Sequence, residues 1–111
     1  NVEIVLADSQ NFAKRMLRGK FNDAAGNALR AEDFDVVLVD PPRAGLDDDT
    51  LELVGGKFKH ILYVSCGPDN LLKNIEQGMR EHTCKRFAIL DHFARTKHIE
   101  VAVYMRRDTV D

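Results

Sequence analysis

Two short apolar runs lie in the middle of the chain, and each is followed by a polar cluster at which a strand would end. Residues 34–39 (FDVVLV) and 61–64 (ILYV) are rich in β-branched and aliphatic side chains, which is typical of strands buried on both faces of a parallel sheet. Residues 40–42 (DPP) follow the first run, and residues 65–68 (SCGP) follow the second. Proline cannot donate a ladder hydrogen bond, so we expect both strands to end there.

Helical spacing alternates with these strands along the chain. The other predicted elements are a strand at 2–7, a helix at 10–18 capped by Ser9, a loop at 19–33, a short helix through Val54 closed by Gly55-Gly56, a helix at 69–81, and strands at 87–90 and 99–105. Alternating strands and helices predict an α/β fold with a mostly parallel sheet. The last two strands have no helix between them, which predicts an antiparallel final strand.

Composition excludes several classes of protein. A chain of 111 residues with a net charge of −2 fits one domain without a strong basic field. No apolar run approaches the ~20 residues of a membrane span, and the N-terminus has no signal peptide pattern. The chain begins with Asn1, so we expect a fragment. The two cysteines and four histidines show neither disulfide-framework nor zinc-ligand spacing. We therefore expect a cytoplasmic setting and no bound metal.

Cys66 is the first candidate for chemistry. It follows a buried strand and precedes a predicted helix N-terminus, where free N–H groups and the helix dipole would stabilise a thiolate. A thiolate is a good nucleophile, but a small buried hydrophobe is the alternative interpretation. Cys84, near the end of the predicted helix, has no comparable surroundings and is interpreted as structural or incidental.

Other polar residues near the predicted strand ends each allow two interpretations. The prolines after Asp40 fix the backbone, so its carboxylate either binds a ligand amine or hydroxyl or caps a turn. Asp8 either contacts a ligand or caps the next helix. Arg43 suits a surface or phosphate-facing role. Glu100, which strand alternation points away from the apolar face, is either a general base or an exposed strand residue. His98 is similar.

Three segments together resemble one known family. Residues 40–47 (DPPRAGLD) resemble the DPPRxGLD motif of the RNA uracil-5-methyltransferases. Residues 61–68 (ILYVSCGP) resemble their [I/V]-x-Y-[I/V]-S-C-N-P motif, and residues 91–100 (DHFARTKHIE) their DxFPxTxHxE motif. The motifs occur in the family's order at matching spacing, and the resemblance covers nearly the whole chain.

The resemblance implies a reaction and roles for three residues. The family uses S-adenosylmethionine to methylate C5 of a uridine in RNA. Cys66 corresponds to the nucleophile that adds to C6 of the uracil, and Glu100 to the base that removes the C5 proton. Asp40 corresponds to a carboxylate that binds the cofactor and organises the site. The target base must leave its stack to reach the cysteine, so base flipping is implied.

The chain also departs from the family pattern. Gly67 stands where the family usually has Asn, and Ala94 where it usually has Pro. Residues 72–75 (LKNI) and the long 19–33 segment resemble the tRNA branch of the family. The resemblance therefore favours the T-loop uridine of tRNA as the target, with a ribosomal RNA uridine as the alternative.

Parts of the family's catalytic domain have no counterpart in the chain. Missing are the Gly-rich cofactor loop, the acidic ribose-binding residue and the RNA-binding portion. In the family's strand order 3-2-1-4-5-7-6, the chain begins at strand 3. It would thus be the C-terminal part of a Rossmann-like class I methyltransferase domain, strands 3–7 only. We expect the chain alone to be inactive. Without strands 1 and 2, residues 2–7 should lie detached, at another edge, or exchanged between chains, and the oligomeric state stays open.

Three other classes remain as alternatives. Residues 35–40 (DVVLVD) resemble the phosphoacceptor strand of receiver-type signalling domains, but an upstream acidic pair and a Lys-Pro are missing. An amino-methyltransferase with a DPP-type motif would have an aromatic residue where Arg43 stands. A degenerate interaction domain would not need Cys66 and Glu100.

Overall fold

The computed structural model describes residues 7–23, 25–91 and 99–108. Within these ranges lie three α-helices: α1 (Ser9–Leu17), α2 (Asp48–Lys57) and α3 (Pro68–Gly78). They alternate with six strands: β1 (Phe21–Asn22), β2 (Ala28–Leu29), β3 (Val36–Val39), β4 (His60–Ser65), β5 (His82–Leu90) and β6 (Glu100–Arg107). Strand–helix alternation therefore gives an α/β fold, as predicted. The strand predicted at 2–7 lies outside the described residues, apart from Ala7, which is not in a strand.

The main sheet has four strands in the order β3-β4-β6-β5. β3 and β4 are parallel, whereas β6 is antiparallel to both β4 and β5. Three strands thus run in one direction and only the final strand runs against them. The antiparallel final strand is confirmed. The prediction of a mostly parallel sheet holds for strand direction but not for pairing, because β6 lies between β4 and β5 and leaves one parallel pair.

Helices α2 and α3 cover one face of this sheet. Ile61 and Tyr63 of β4 are opposite Met105 and Val103 of β6, and all four are buried. Cross-strand partners share a face, and the same cluster contains buried residues of α2 and of the α3 region: Leu51, Val54, Leu71 and Met79. Burial of these side chains holds the two helices against the sheet.

The opposite face of the sheet is open among the described residues. Leu38, Leu62 and Phe87 are 66%, 40% and 70% exposed. Within the described residues, the expectation that both central strands are buried on both faces is therefore wrong. Its physical reason is that α2 and α3 pack on the same side, so these residues cover only one face of the apolar runs in β3 and β4.

The sequence predicted that this helix ends at Gly55-Gly56, but α2 continues through both glycines to Lys57. A Cβ at Gly55 would lie 2.8 Å from the carbonyl carbon of Gly78 and closer still to its oxygen. Gly55 is therefore required by the close approach of α2 and α3, and it does not act as a helix stop. Asp47 is the N-cap of α2, and its side chain accepts a hydrogen bond from the Thr50 N–H at 3.0 Å.

The segment predicted as a loop, 19–33, contains some regular structure. β1 and β2 form a short antiparallel hairpin, and a 3-10 turn follows at Ala31–Asp33. Phe21 packs edge-on against Phe12 of α1 with ring centroids 4.7 Å apart. A second buried cluster joins α1, this hairpin and Phe58, which explains why the segment is folded onto the domain.

Candidate functional site

The carboxyl ends of β3 and β4 lie at one edge of the sheet. The two strands are parallel, with Val39 opposite Tyr63, so the segments that follow them emerge side by side. Asp40 follows β3, and Cys66 follows β4. Ligand sites in open α/β sheets form at this edge. Asp40 and Cys66 therefore lie at the same edge of the sheet.

Strand β6 brings Glu100 to the same edge. Its antiparallel register pairs Val64 with Ala102 and Ser65 with Val101. Cys66 directly follows Ser65 in the chain, and Glu100 directly precedes Val101. The pairing of β4 with β6 therefore brings the segments that carry Cys66 and Glu100 to the same edge, although the two residues are 34 positions apart in the sequence. Sequence alternation alone did not predict this pairing, because it depends on β6 lying next to β4.

Cys66 lines a cavity of about 300 Å³ at this edge. Arg43, Gly67, Asn70 and Ile99 contribute to the same walls. The thiol is half-buried, so a ligand in the cavity can reach it. Arg43 adds a cationic side chain to the walls of the same cavity.

The turn that carries Cys66 is fixed by local hydrogen bonds. Ser65 is buried, and its Oγ accepts a hydrogen bond from the Gly67 N–H at 3.0 Å. Gly67 is the N-cap residue of α3, and Pro68 begins the helix. The backbone on both sides of Cys66 is therefore held, as expected for a residue between a strand and a helix.

A second cavity, of about 450 Å³, lies on the other side of residues 40–47, which we call the 40–47 loop. Its walls include the start of α1, Asp40 with the two prolines, and the start of α2. Asp47 Oδ2 is buried there without a hydrogen-bond partner among the described residues. Carboxylate oxygens of Asp8, Asp40 and Asp47 make this cavity, which we call the acidic cavity, suited to a ligand that offers N–H or O–H donors.

The 40–47 loop therefore has one cavity on each side. Pro42 and Gly45 face the acidic cavity, whereas Arg43 lines the cavity of Cys66. Asp40 and Cys66 are brought to one edge but line different cavities. A ligand that spans the loop could contact both.

Two residues near the loop were not predicted from the sequence. Asn74 of α3 is buried, and its Oδ1 accepts hydrogen bonds from the Tyr63 hydroxyl at 2.7 Å and from the Leu46 N–H at 2.9 Å. Burial raises the pKa of Tyr63 to about 12, an effect that the backbone of Leu46 partly offsets. A polar residue at a helix position that faces the core was the signal that could have identified Asn74.

The remaining predicted residues have plainer positions. Asp8 occupies the N-cap position of α1, where its side chain makes no capping hydrogen bond. Cys84 is exposed in β5 rather than at the end of a helix. His98 and Ala94 lie outside the described residues, as does most of the 91–100 motif; Asp91, Ile99 and Glu100 are described.

A further cavity, of about 690 Å³, lies at the opposite edge of the sheet. Arg107 on its wall donates to the Gly55 carbonyl at 2.7 Å and lies 3.7 Å from Glu81. Both of these charged groups are thus paired within the protein, and no candidate residue from the sequence lines the cavity.

Two other kinds of site are absent from the described part of the chain. No group of three or more His, Cys, Asp or Glu side chains is placed there to hold a metal ion. None of α1, α2 and α3 is long and apolar enough to cross a membrane.

Comparison with known proteins identifies relatives of this chain. Residues 1–108 match the model of the tRNA (Uracil-5-)-methyltransferase family. The tRNA/tmRNA (uracil-C(5))-methyltransferase of a Nitratiruptor species is 42% identical over 109 residues, which cover 96% of this chain and 30% of the relative. The protein of the same name from Acinetobacter baylyi is 47% identical over 77 residues, covering 69% and 21% respectively.

A solved structure is also similar. The tRNA (uracil-54, C5)-methyltransferase of Pyrococcus abyssi, in complex with S-adenosyl-L-homocysteine, superposes with a TM-score of 0.58 and 33% identity. The match covers 65% of this chain and 18% of that one. This chain spans about 30% of the length of the relatives that it matches most fully, and its assignment to their C-terminal part stays a prediction. With nearly its whole length matched by the family model, the chain belongs to the tRNA (uracil-5-)-methyltransferase family.

Proposed function

We propose that the protein containing this chain methylates C5 of a uridine in tRNA, with Cys66 as nucleophile and Glu100 as base. The observation that carries this proposal is the β4–β6 register, in which Ser65, the residue before Cys66, pairs with Val101, the residue after Glu100. Family membership supplies the reaction class. The cavity lined by Cys66 and Arg43 offers space for the uracil ring of the substrate.

The fold is proposed to be part of a Rossmann-like class I methyltransferase domain. The order β3-β4-β6-β5 with β6 antiparallel is the order expected for the family's strands 4-5-7-6. The solved relative was crystallised with S-adenosyl-L-homocysteine, the product that S-adenosylmethionine leaves after methyl transfer. Both observations support the same fold and the same cofactor.

The acidic cavity fits part of S-adenosylmethionine. The cofactor carries amino and hydroxyl groups, and the cavity offers the carboxylates of Asp8, Asp40 and Asp47, one of whose oxygens is buried without a partner among the described residues. We propose that Asp40 and its neighbours hold the cofactor there. When bound, the cofactor supplies an electrophilic methyl group to the reaction.

Cys66 activates the target carbon. C5 of a neutral uracil is a weak nucleophile, so the thiolate adds to C6 and the electrons of the C5–C6 bond move toward the O4 carbonyl. The enolate that results can accept a methyl group at C5. Because the thiol is half-buried in a cavity, the uridine must be flipped out of its stack to reach it.

Glu100 completes the reaction. Once C5 is methylated, its carboxylate accepts the C5 proton, the C5–C6 double bond re-forms, and the thiolate of Cys66 leaves. Proton abstraction at C5 and departure of sulfur from C6 involve adjacent carbons, so base and nucleophile must lie close together. The Ser65–Val101 pair supports this arrangement, because Cys66 and Glu100 are the next residues along the two strands.

The substrate is proposed to be the T-loop uridine of tRNA. The relatives are named tRNA/tmRNA methyltransferases, and the solved relative is named for uracil 54 of tRNA. The net charge of −2 does not oppose an RNA partner, because an RNA-binding portion is expected outside this chain.

The test uses the full-length protein and two T-arm RNAs, one with ordinary uridine and one with 5-fluorouridine at the target. Fluorine cannot leave as a proton does, so wild-type protein should form a lasting covalent adduct with the fluorinated RNA. Cys66→Ala should form no adduct, whereas the control Cys84→Ala should form it at the wild-type rate.

Glu100→Gln separates the two proposed roles. This variant should still attack through Cys66 but should release the product slowly, so an adduct should accumulate even on ordinary uridine RNA. Adduct formation by Cys66→Ala, or full turnover by Glu100→Gln, would contradict the assignments. Methylation of a ribosomal RNA fragment but not of the T-arm RNA would show that the substrate is ribosomal RNA.

A further inference from the structure

Asn74 joins three parts of the candidate site through a single oxygen atom. Its Oδ1 accepts from Tyr63 of β4 and from the Leu46 N–H of the 40–47 loop, and Asn74 itself belongs to α3. Both donors are on other elements, 11 and 28 residues away. Removing this shared acceptor should cost free energy, because the Tyr63 hydroxyl and the Leu46 N–H would both lose their hydrogen-bond acceptor in a poorly hydrated place.

The 40–47 loop is fitted to α3 at further points. Asn70, one turn before Asn74, donates from Nδ2 to the Arg43 carbonyl at 2.9 Å. Gly45 has φ of +90°, and a Cβ there would lie 2.7 Å from Asn74 Oδ1. The backbone of the loop therefore lies close against the helix over its second half.

The same contacts determine the distance between Arg43 and the nucleophile. A Cβ at Gly67 would lie 3.1 Å from Arg43 Cγ and closer still to the Arg43 carbonyl oxygen. Arg43 and Cys66 line one cavity as a result. Any movement of the loop away from α3 would widen that cavity and change the surroundings of the sulfur atom.

We propose that Asn74 is a positioning residue for the reaction of Cys66. It lines neither the acidic cavity nor the cavity of the thiol, and it acts by holding the 40–47 loop against β4 and α3. This inference rests on the proposed function, since it concerns the rate at which Cys66 attacks C6. Misplacement of a reacting group by about 1 Å can lower a rate by up to about 100-fold.

The chemistry of the network defines the variants. Both partners of Asn74 Oδ1 are donors, so a carboxylate oxygen can replace the amide oxygen, whereas an apolar side chain of similar size cannot. Asn74→Asp should therefore retain function and Asn74→Leu should lose it. Gly45→Ala disturbs the same contact from the loop side without altering α3. Gly56→Ala is the matched control, because a Cβ at Gly56 has no atom within 4 Å.

The experiment measures adduct formation between the full-length protein and 5-fluorouridine T-arm RNA in a single turnover, at a temperature where each variant is folded. We expect Asn74→Leu to slow the reaction roughly 10- to 100-fold, and Asn74→Asp to stay within about threefold of wild type. Gly45→Ala should be slowed and Gly56→Ala unchanged. The Kd for RNA, measured in parallel, should be the same in all variants.

Outcomes separate this inference from the proposal on which it rests. A wild-type protein that forms no adduct overturns the proposed function and the role of Asn74 with it. Wild-type rates in Asn74→Leu, or equal losses in Asn74→Leu and Asn74→Asp, overturn the positioning role alone. If Asn74→Leu does not fold, Gly45→Ala decides, and an unchanged rate in that variant overturns the proposal. A fall in RNA affinity that accounts for the whole loss also overturns it.

Discussion

Gly55 and Gly56 are adjacent in α2, and replacing each by alanine should have opposite effects on stability. A Cβ at Gly56 would meet no atom within 4 Å, whereas a Cβ at Gly55 would lie 2.8 Å from the carbonyl carbon of Gly78. Both substitutions gain the same intrinsic helix preference, about 0.5–1 kcal/mol. The difference between them therefore measures the packing of α2 against α3.

The size of this difference follows from the contact. Ordinary non-bonded carbon atoms approach to about 3.5–4.0 Å, so α2 and α3 would have to separate to admit the methyl group at Gly55. Overpacking of this kind costs about 1–3 kcal/mol. We expect Gly56→Ala to be slightly more stable than wild type and Gly55→Ala to be less stable, with about 1–3 kcal/mol between the variants.

Urea denaturation of the full-length protein, followed by circular dichroism, gives this difference as a change in midpoint at constant slope. The comparison needs no assumption about the rest of the protein, because both variants share it. Equal midpoints for the two variants would show that α2 and α3 are not in close contact at Gly55. The interpretation of Gly55 as a packing residue would then be wrong.

Three further predictions concern the loop, the buried tyrosine and the chain itself. Gly67→Asn, which restores the usual family residue, should lower stability by about 1–3 kcal/mol because its Cβ would crowd Arg43; an unchanged urea midpoint would contradict this. The pKa of Tyr63 is raised from 10.0 to about 12 in the folded protein. The contribution of Tyr63 to the free energy of unfolding is therefore complete below pH 10 and is lost between pH 10 and 12, because the tyrosine of the unfolded chain ionises first. Stability measured over that range should fall less steeply in Tyr63→Phe than in wild type, and equal slopes would refute the assignment. The isolated 111-residue chain should not transfer methyl groups from S-adenosylmethionine to T-arm RNA in a filter assay, because it lacks the Gly-rich cofactor loop; detectable transfer would refute that prediction.

The sequence was sufficient to place Asp40 and Cys66 at one edge of a sheet. Both follow apolar runs whose pattern predicts neighbouring parallel strands, and the carboxyl ends of such strands lie together. Glu100 was assigned only through the family resemblance. Its location at the same sheet edge as Cys66 depends on β6 inserting between β4 and β5, and no local pattern in residues 99–105 encodes that choice of neighbour.

Helix α3 shows why part of the site was missed. Side-chain polarity favours burial of Leu72 over burial of Asn74, yet Leu72 is 58% exposed and Asn74 is buried. The two residues are about half a turn apart and lie on opposite sides of the helix, so only one of them can face the core. What decides is the availability of the Tyr63 hydroxyl and the Leu46 N–H, which are distant in sequence and meet Asn74 only after the sheet has formed.

The glycines show the same limit of local inference. Gly55-Gly56 is a common helix-ending signal, but tertiary packing overrides it because Gly55 permits contact with Gly78. Leu38 and Leu62 show a second failure of local inference, because they are exposed in the structure. Their apolar sequence predicts burial, while the described residues cover only one face, since α2 and α3 both lie on the other.

The position of the 40–47 loop between two cavities has a consequence for how the site works. A cofactor held beside Asp40 and a base beside Cys66 would approach each other across this loop, so its placement sets the distance between methyl donor and acceptor. The loop is not held by strand pairing; hydrogen bonds from Asn70 and to Asn74 hold it against α3. Substitutions in α3 that release the loop should therefore impair attack by Cys66 and methyl transfer together, whereas Glu100→Gln should impair only the final release of product. This difference in the step affected separates residues that position the reactants from the residue that removes the proton.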